Sequence, residues 1–379
     1  MDRKLHRLDS TYPGQCLYLV DGGGVVFSET QNRFVGLDAA GVAAYRAFNA
    51  GVGVHELRAS HDGSRFSSPP AASEDGLETI HALSQGIFPG EDTSPEWPAL
   101  HDPLSANLEI HGIPVFLEYP AGPFQNLCLD YFRNCSVTTR PAQCHLQAQQ
   151  KGNRWAIHIN GGEFLSGLQG KQIGLGLLHA ARALLYAEAQ YDIAFHAAMV
   201  AGQGRGVMLC APRESGKSTL TAHLVARGFD LLADEPTLLH LDTASVSPLH
   251  FPVSLKEGSW NVLAHEWPQL AAAPVHLRSD GMKIRLLHPP RLAAQPQRLT
   301  HIVFPEYNPS SAGYAERLSP LRSLSSLNEG GMLPARRLKR DTFEAFLRLI
   351  MDTPSYAMQY ASLERAEQII DDLPHTARD

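Results

Sequence analysis

Apolar and polar positions alternate in short bursts over the first fifty residues. QCLYLVDGGGVVFSET reads as strand, glycine turn, strand, and NRFVGLD as a short third strand. AAGVAAYRAFNAG changes to helical spacing and stops at Gly51, which acts as a C-cap. VGVHELRASH reads as a second short helix. Strands followed by small helices predict a winged-helix-like module over residues 1–58. Residues 59–104 lose this periodicity. SHDGSRFSSPPAASEDG and FPGEDTSPEWPALHDP are rich in Ser, Pro, Gly and acids and read as a linker, with a short helix over 77–85.

Patterning returns over residues 105–379. NLEIHGIPVFLEYP, QCHLQAQQ and RWAIHIN alternate as strands, and a tight Gly-Asn turn joins the last two. KQIGLGLLHAARALLYAEAQ then reads as a long helix with an apolar stripe of Leu175, Leu178, Ala181 and Leu185. FHAAMVAGQGRGVMLCA is two strands around a glycine turn at 202–206. STLTAHLVARG is a helix ended by Gly228, and FDLLADE is a buried strand finishing in two carboxylates. The chain is therefore expected to be α/β (α+β overall). The parts are a P-loop core, a small β-rich subdomain and the N-terminal winged-helix-like module.

Composition narrows the function classes. At 379 residues and 44% hydrophobic, the chain exceeds one ordinary core. The formal net charge is −7, and no basic block is long enough to track a phosphate backbone, so no nucleic-acid partner is expected. The short cluster Arg336, Arg337, Lys339 and Arg340 precedes an amphipathic helix and is expected to be a solvated face. Five cysteines, Cys16, Cys128, Cys135, Cys144 and Cys210, include no C-x-x-C pair. That pattern suggests neither a disulfide framework nor a zinc site, and reduced thiols in a cytoplasmic protein are expected. The start MDRKLHRLDSTYPGQ has no apolar segment of a signal peptide, and no apolar run approaches a bilayer span, so no membrane partner is expected. The 18 histidines include no H-E-x-x-H pair.

The candidate chemistry lies in VMLCAPRESGKSTLTAHLVARG. Its centre runs Ala211, Pro212, Arg213, Glu214, Ser215, Gly216, Lys217, Ser218, a P-loop pattern with alanine at the first glycine position. That position ends a strand and demands less than Gly216, whose backbone takes conformations other residues resist. Loop amides and a helix N-terminus would cradle phosphates. Lys217 would bind the β- and γ-phosphates, Ser218 Mg²⁺, and Thr219 the α-phosphate. Asp234 follows Ser218 by 16 positions and is itself followed by Glu235. One acid of such a pair holds Mg²⁺ and the other takes a proton from an attacking hydroxyl, and their mutual repulsion raises one pKa. His196 lies on the strand preceding the glycine turn at 202–206 and is a further candidate.

FHAAMV…GVMLCAPRESGKSTLTAHLVARGFDLLADEPTLL resembles the kinase core of bacterial HPr kinase/phosphorylase, and more closely the shorter HPr-kinase-related proteins found beside peptide-modifying genes. The resemblance implies an HPr-kinase-like core over about 105–375. It implies ATP and Mg²⁺ as cofactors, Asp234 as catalytic base, Glu235 with Ser218 on the metal side, and catalytic roles for Lys217 and His196. FPVSLKEGSW, residues 251–260, resembles an R-P-[VI]-S-L-K element and makes Lys256 a phosphate or substrate contact. TPSYAMQYASLERAEQIIDDL resembles that subfamily's C-terminus. Arg213 and Glu214 depart from the HPr kinase loop, G-D-S-G-x-G-K-S. The R-G-x-G stretch tied to its phosphorylase reaction is missing, which argues against reverse phosphorolysis and against HPr as substrate. A homo-oligomer is among the partners the resemblance admits.

YLVDGGGVVFSETQNRFVGLDAAGVAAYRAFNAG resembles a PqqD-type peptide-recognition module. Such modules add a leader peptide as a strand at an exposed sheet edge, which here is expected in YLV or VVFSE. Together the two resemblances imply an ATP-dependent kinase that phosphorylates a Ser or Thr hydroxyl of a ribosomally made precursor peptide. A kinase of a small hydroxylated metabolite and a nucleotide-gated peptide-binding module without catalysis stand beside it. The acid pair argues against a pure switch, and residues 1–55 argue for a peptide over a metabolite.

Overall fold

The computed structural model describes residues 5–21, 23–50, 103–212, 215–278 and 280–374. Residues 59–102 of the expected linker, the expected helices over 52–61 and 77–85, and Gly51 lie outside the described residues. Strands β1 (His6–Asp9), β2 (Gln15–Val20), β3 (Gly23–Ser28) and β4 (Arg33–Asp38) form an antiparallel sheet in that order, followed by helix α1 (Ala39–Asn49). The last three strands and the helix fall where alternation predicts them. β1 escaped because HRLD has no apolar face, and all four residues are exposed. The expected docking edge is displaced. YLV lies in β2 and VVFS in β3, and both strands are paired on both sides. Among the described residues the free edges of this sheet are β1 and β4.

A six-stranded sheet follows: β5 (Leu104–Ile110), β6 (Ile113–Tyr119), β7 (Ser136–Val137), β8 (Cys144–Lys151), β9 (Arg154–Ile159) and β10 (Gly162–Leu168). Helix α2 (Gln125–Asp130) and the long α3 (Ile173–Glu188) cover it. The α3 stripe is broader than the predicted one, since Leu177 and Leu184 are buried with Leu178, Ala181 and Leu185, while Leu175 is only partly buried. Gly174 has a packing reason: a Cβ there would run into the Leu127 carbonyl of α2.

The chain then weaves two sheets. β11 (Ile193–Phe195) enters one, and β12 (Ala197–Gly202) and β13 (Arg205–Cys210) enter the other. The β12–β13 turn uses Gln203 and Gly204, both at positive φ, the conformation a two-residue hairpin needs. α4 (Lys217–Ala226) follows, then β14 (Asp230–Asp234), β15 (Thr237–His240), β16 (Ser245–Ser247), β17 (Val253–Lys256) and α5 (Glu257–Val262). β18 (His276–Leu277) and β19 (Lys283–Leu287) make a small sheet with β17. After β20 (Gln297–Arg298) come β21 (His301–Tyr307), β22 (Tyr314–Arg317), α6 (Pro320–Glu329), β23 (Met332–Pro334), α7 (Arg340–Asp352), β24 (Ser355–Tyr360) and α8 (Leu363–Asp371). The central sheet has the order β14-β12-β13-β21-β24-β22. β13 pairs in parallel with β21, and β21 with β24, while β12 runs antiparallel to both β13 and β14. Hence β13, β14, β21 and β24 point the same way, and their carboxyl ends gather at one edge. The protein is a mixed α/β structure of several sheets and helices.

Alternation along these strands splits the core in two. Ala198, Val200, Val207, Leu209 and Leu231 face Leu220 and Leu224 of α4 and Ile369 and Ile370 of α8. Met199, Met208, Leu232 and Ile302 face the other way, toward Phe343, Phe346 and Ile350 of α7. The N-terminal sheet closes over the same helix. Phe27 stacks on Phe343 at 4.2 Å between centroids, with Tyr18 and Phe34 packed around it. Arg337 donates to the carbonyls of Glu29 and Thr30, and Arg340 lies 4.0 Å from Asp9. Part of the basic cluster expected to be a solvated face therefore grips this sheet. Phe343→Ala should cost about 3–5 kcal/mol of stability, because the ring is fully buried between two sheets. A chemical-denaturation midpoint unchanged from wild type would mean the N-terminal sheet does not share this core.

Candidate active site

β13 ends at Cys210, and the chain turns through Ala211 and Pro212 toward α4. Ala211 is buried and Pro212 exposed, while Arg213 and Glu214 lie outside the described residues. Gly216 caps α4 at φ 89°, a left-handed conformation that favours glycine. It delivers Lys217 and Ser218 into the first turn of α4, where backbone amides lack helical acceptors. The Ser215 hydroxyl is buried and finds no partner among the described residues.

β14 brings the acids to the same edge. Asp234 and Leu209 both pair with Ala198, so Asp234 is level with the end of β13 and one strand removed. The first turn of α4 crosses that gap. Ser218 Oγ donates to Asp234 Oδ1 at 3.1 Å, and the Ser254 amide donates to Asp234 Oδ2 at 3.2 Å. Lys217, 7% exposed, donates from Nζ to the His196 carbonyl at 2.9 Å. His196 sits at the step between β11 and β12, where the chain changes sheet. Its Nδ1 lies 2.8 Å from Glu235 Oε1. Glu235 has φ 58°, a left-handed conformation uncommon for a residue with a side chain.

Sequence reasoning missed a cation here. Arg182 of α3 donates from Nη2 to the Glu235 carbonyl at 2.8 Å, and its Nη1 lies 3.8 Å from Glu235 Oε1. The available signal was a lone arginine in IGLGLLHAARALLYAE, a helix with no other lysine or arginine. Ser254 and Ser259 were also missed. Thr219 shares a 2.6 Å hydrogen bond with Ser259, so its hydroxyl is engaged by α5. Lys256 stands between these two serines in the chain, at the junction of β17 and α5.

The two acids are tuned apart. Burial pushes the Asp234 carboxyl above its ordinary range, with Lys217 pulling it down and Glu235 adding to the rise. Burial acts on Glu235 too, but the Arg182 charge and the His196 hydrogen bond outweigh it and hold that carboxyl well below the usual carboxylate range. Opposite shifts in adjacent carboxylates suit one to accept a proton and the other to remain anionic. The expected magnesium pair, Ser218 with Glu235, is not the pair in contact: Ser218 bonds Asp234 because α4 faces the end of β14. Among the described residues no cluster of three or more His, Cys, Asp or Glu is placed to hold a metal.

No family model matches the chain, and no curated protein matches it. Among the described residues no helix is long and apolar enough to cross a membrane.

Proposed function

We propose that this chain is an ATP-dependent kinase that transfers the γ-phosphate to a Ser or Thr hydroxyl of a ribosomally made precursor peptide. The observation that carries this reading is the convergence of Lys217, Ser218, Asp234, Glu235 and His196, at the carboxyl ends of β13 and β14. The residues present fit the phosphates of a nucleotide, since a buried hydroxyl without a partner among the described residues, a left-handed glycine and a buried lysine line one loop. Ser218, on releasing Asp234, and Glu235 would hold Mg²⁺, which supplies charge neutralisation on the phosphates when bound. Lys217 and the amides opening α4 would bind the phosphate oxygens and stabilise charge on them in transfer.

Asp234 accepts the proton of the acceptor hydroxyl. As that oxygen bonds to the γ-phosphorus, the bond from phosphorus to the ADP oxygen breaks. The raised pKa of Asp234 makes it the better proton acceptor of the pair. His196 and Arg182 fix Glu235 as an anion. The exposed edges β1 and β4 of the N-terminal sheet would take the leader peptide as an added strand. A metabolite kinase is the second reading, favoured by the N-terminal sheet spending its apolar face on Phe343.

The test is mass spectrometry of candidate precursor peptides incubated with the full protein and Mg-ATP. A phosphate ester on one peptide hydroxyl, absent with Lys217→Ala, is expected. ATP consumption with every peptide unmodified would turn the assignment toward a small-molecule acceptor.

A further inference from the structure

β21 and β24 outrun β13. Leu209 pairs with Val303, so Cys210, the last residue of β13, is level with Phe304, and β21 continues to Tyr307. Those three residues carry it about 10 Å past the start of the loop. β24 ends beside it, with Tyr307 opposite Tyr360. Carboxyl ends of parallel strands are where open α/β sheets hold their ligands.

The two rings meet edge to face, with centroids 5.8 Å apart and planes at 62°. Tyr360 is 1% exposed and braces the pair, while Tyr307 is 55% exposed. The pair abuts the loop. A Cβ added to Gly216 would lie 2.8 Å from the Tyr360 hydroxyl and 3.8 Å from the Tyr307 Cβ. Tyr314, exposed as well, pairs with Gln359, so strand alternation puts it on the other face of the sheet. Tyr307 thus presents just over half of its surface at the mouth of the phosphate loop.

We propose that Tyr307, braced by Tyr360, is the stacking platform for the nucleobase of the nucleotide whose phosphates the loop takes. This rests on the nucleotide reading above and adds the part of the ligand that the loop itself does not recognise. A flat heteroaromatic ring laid on an exposed tyrosine gains stacking energy, and every base offers a π-face. The neighbouring amide is occupied: Asn308 Oδ1 accepts from the Ser310 amide at 3.0 Å, and Nδ2 donates to Gln359 at 3.4 Å. Asn308 is therefore not free to read a base edge, and ATP and GTP are expected to bind with similar affinity.

The experiment is calorimetric titration of the full chain with Mg-ATP, Mg-GTP and magnesium tripolyphosphate, using wild type, Tyr307→Ala and Tyr307→Phe. Tyr307→Ala should weaken ATP and GTP by about 5- to 100-fold and leave tripolyphosphate unchanged, with Tyr307→Phe restoring both nucleotides. Unchanged ATP affinity in Tyr307→Ala would overturn the platform, as would a parallel loss of tripolyphosphate, which marks a structural role. Wild type binding tripolyphosphate as tightly as ATP overturns the platform alone. Wild type binding neither ligand overturns the nucleotide reading and the platform with it.

Discussion

Lys217→Ala abolishes phosphoryl transfer while the protein stays folded; that is the largest expected effect. The lysine opens α4 and is 7% exposed, and its ammonium rests on one backbone carbonyl, His196 O. A charge held dry beside the reacting phosphate acts far more strongly than in water, and its loss should lower the rate by about 10³-fold or more. The fold does not depend on that charge in the same degree, because the packing of α4 on the central sheet is carried by Leu220 and Leu224. The change also removes a cation that pulls the Asp234 carboxyl down, so Asp234 rises further. Turnover and thermal melting are read on the same sample. Normal turnover in a well-folded variant would remove the loop from the mechanism.

Asp234→Asn lowers transfer by about 10²–10⁴-fold with Mg-ATP binding retained, because an amide cannot accept the hydroxyl proton. Glu235→Gln instead shifts the magnesium dependence, since Glu235 is the acid kept anionic by Arg182 and His196. The Ser218–Asp234 contact gives the comparison its force. A variant at Asp234 that loses magnesium dependence first would exchange the two roles. The pH profile gives an independent reading. The Asp234 carboxyl is raised above its ordinary value of 3.8, so the acid limb of kcat/KM, which reports the free enzyme, lies above that value. For stability the sign differs between the acids. Asp234 favours its protonated form in the folded state, so stability is lost as pH rises from 3.8 through the raised value. Glu235 is lowered from 4.5, so its contribution is present above 4.5 and lost as pH falls through the folded value.

Local patterns foretold most of what stands near the site. The strand ending at Cys210, the glycine-led entry to α4, and the acids closing β14 are each written in consecutive residues. The N-terminal strands showed the same legibility, because short apolar runs bounded by a glycine turn mark them, and both faces of β2 and β3 are largely buried. What failed was long-range. Arg182 joins Glu235 across 53 positions, and Thr219 joins Ser259 across 40, neither of which any period encodes. The free edge of the N-terminal sheet was misplaced because β1, an all-exposed strand, covers β2. Arg337 read as surface because its acceptors, the carbonyls of Glu29 and Thr30, lie some three hundred positions upstream. The aromatic pair at the loop's mouth arises from the register of β21 and β24, which pairing in space sets.

The central claim is that these residues move a phosphate from ATP to a hydroxyl. Its most direct measure is the simultaneous count of ADP and inorganic phosphate released from Mg-ATP, with an acceptor peptide present. ADP is expected in clear excess over free phosphate, the difference residing on the acceptor, with both products falling to background in Lys217→Ala. ADP no higher in the wild-type protein than in Lys217→Ala would contradict it.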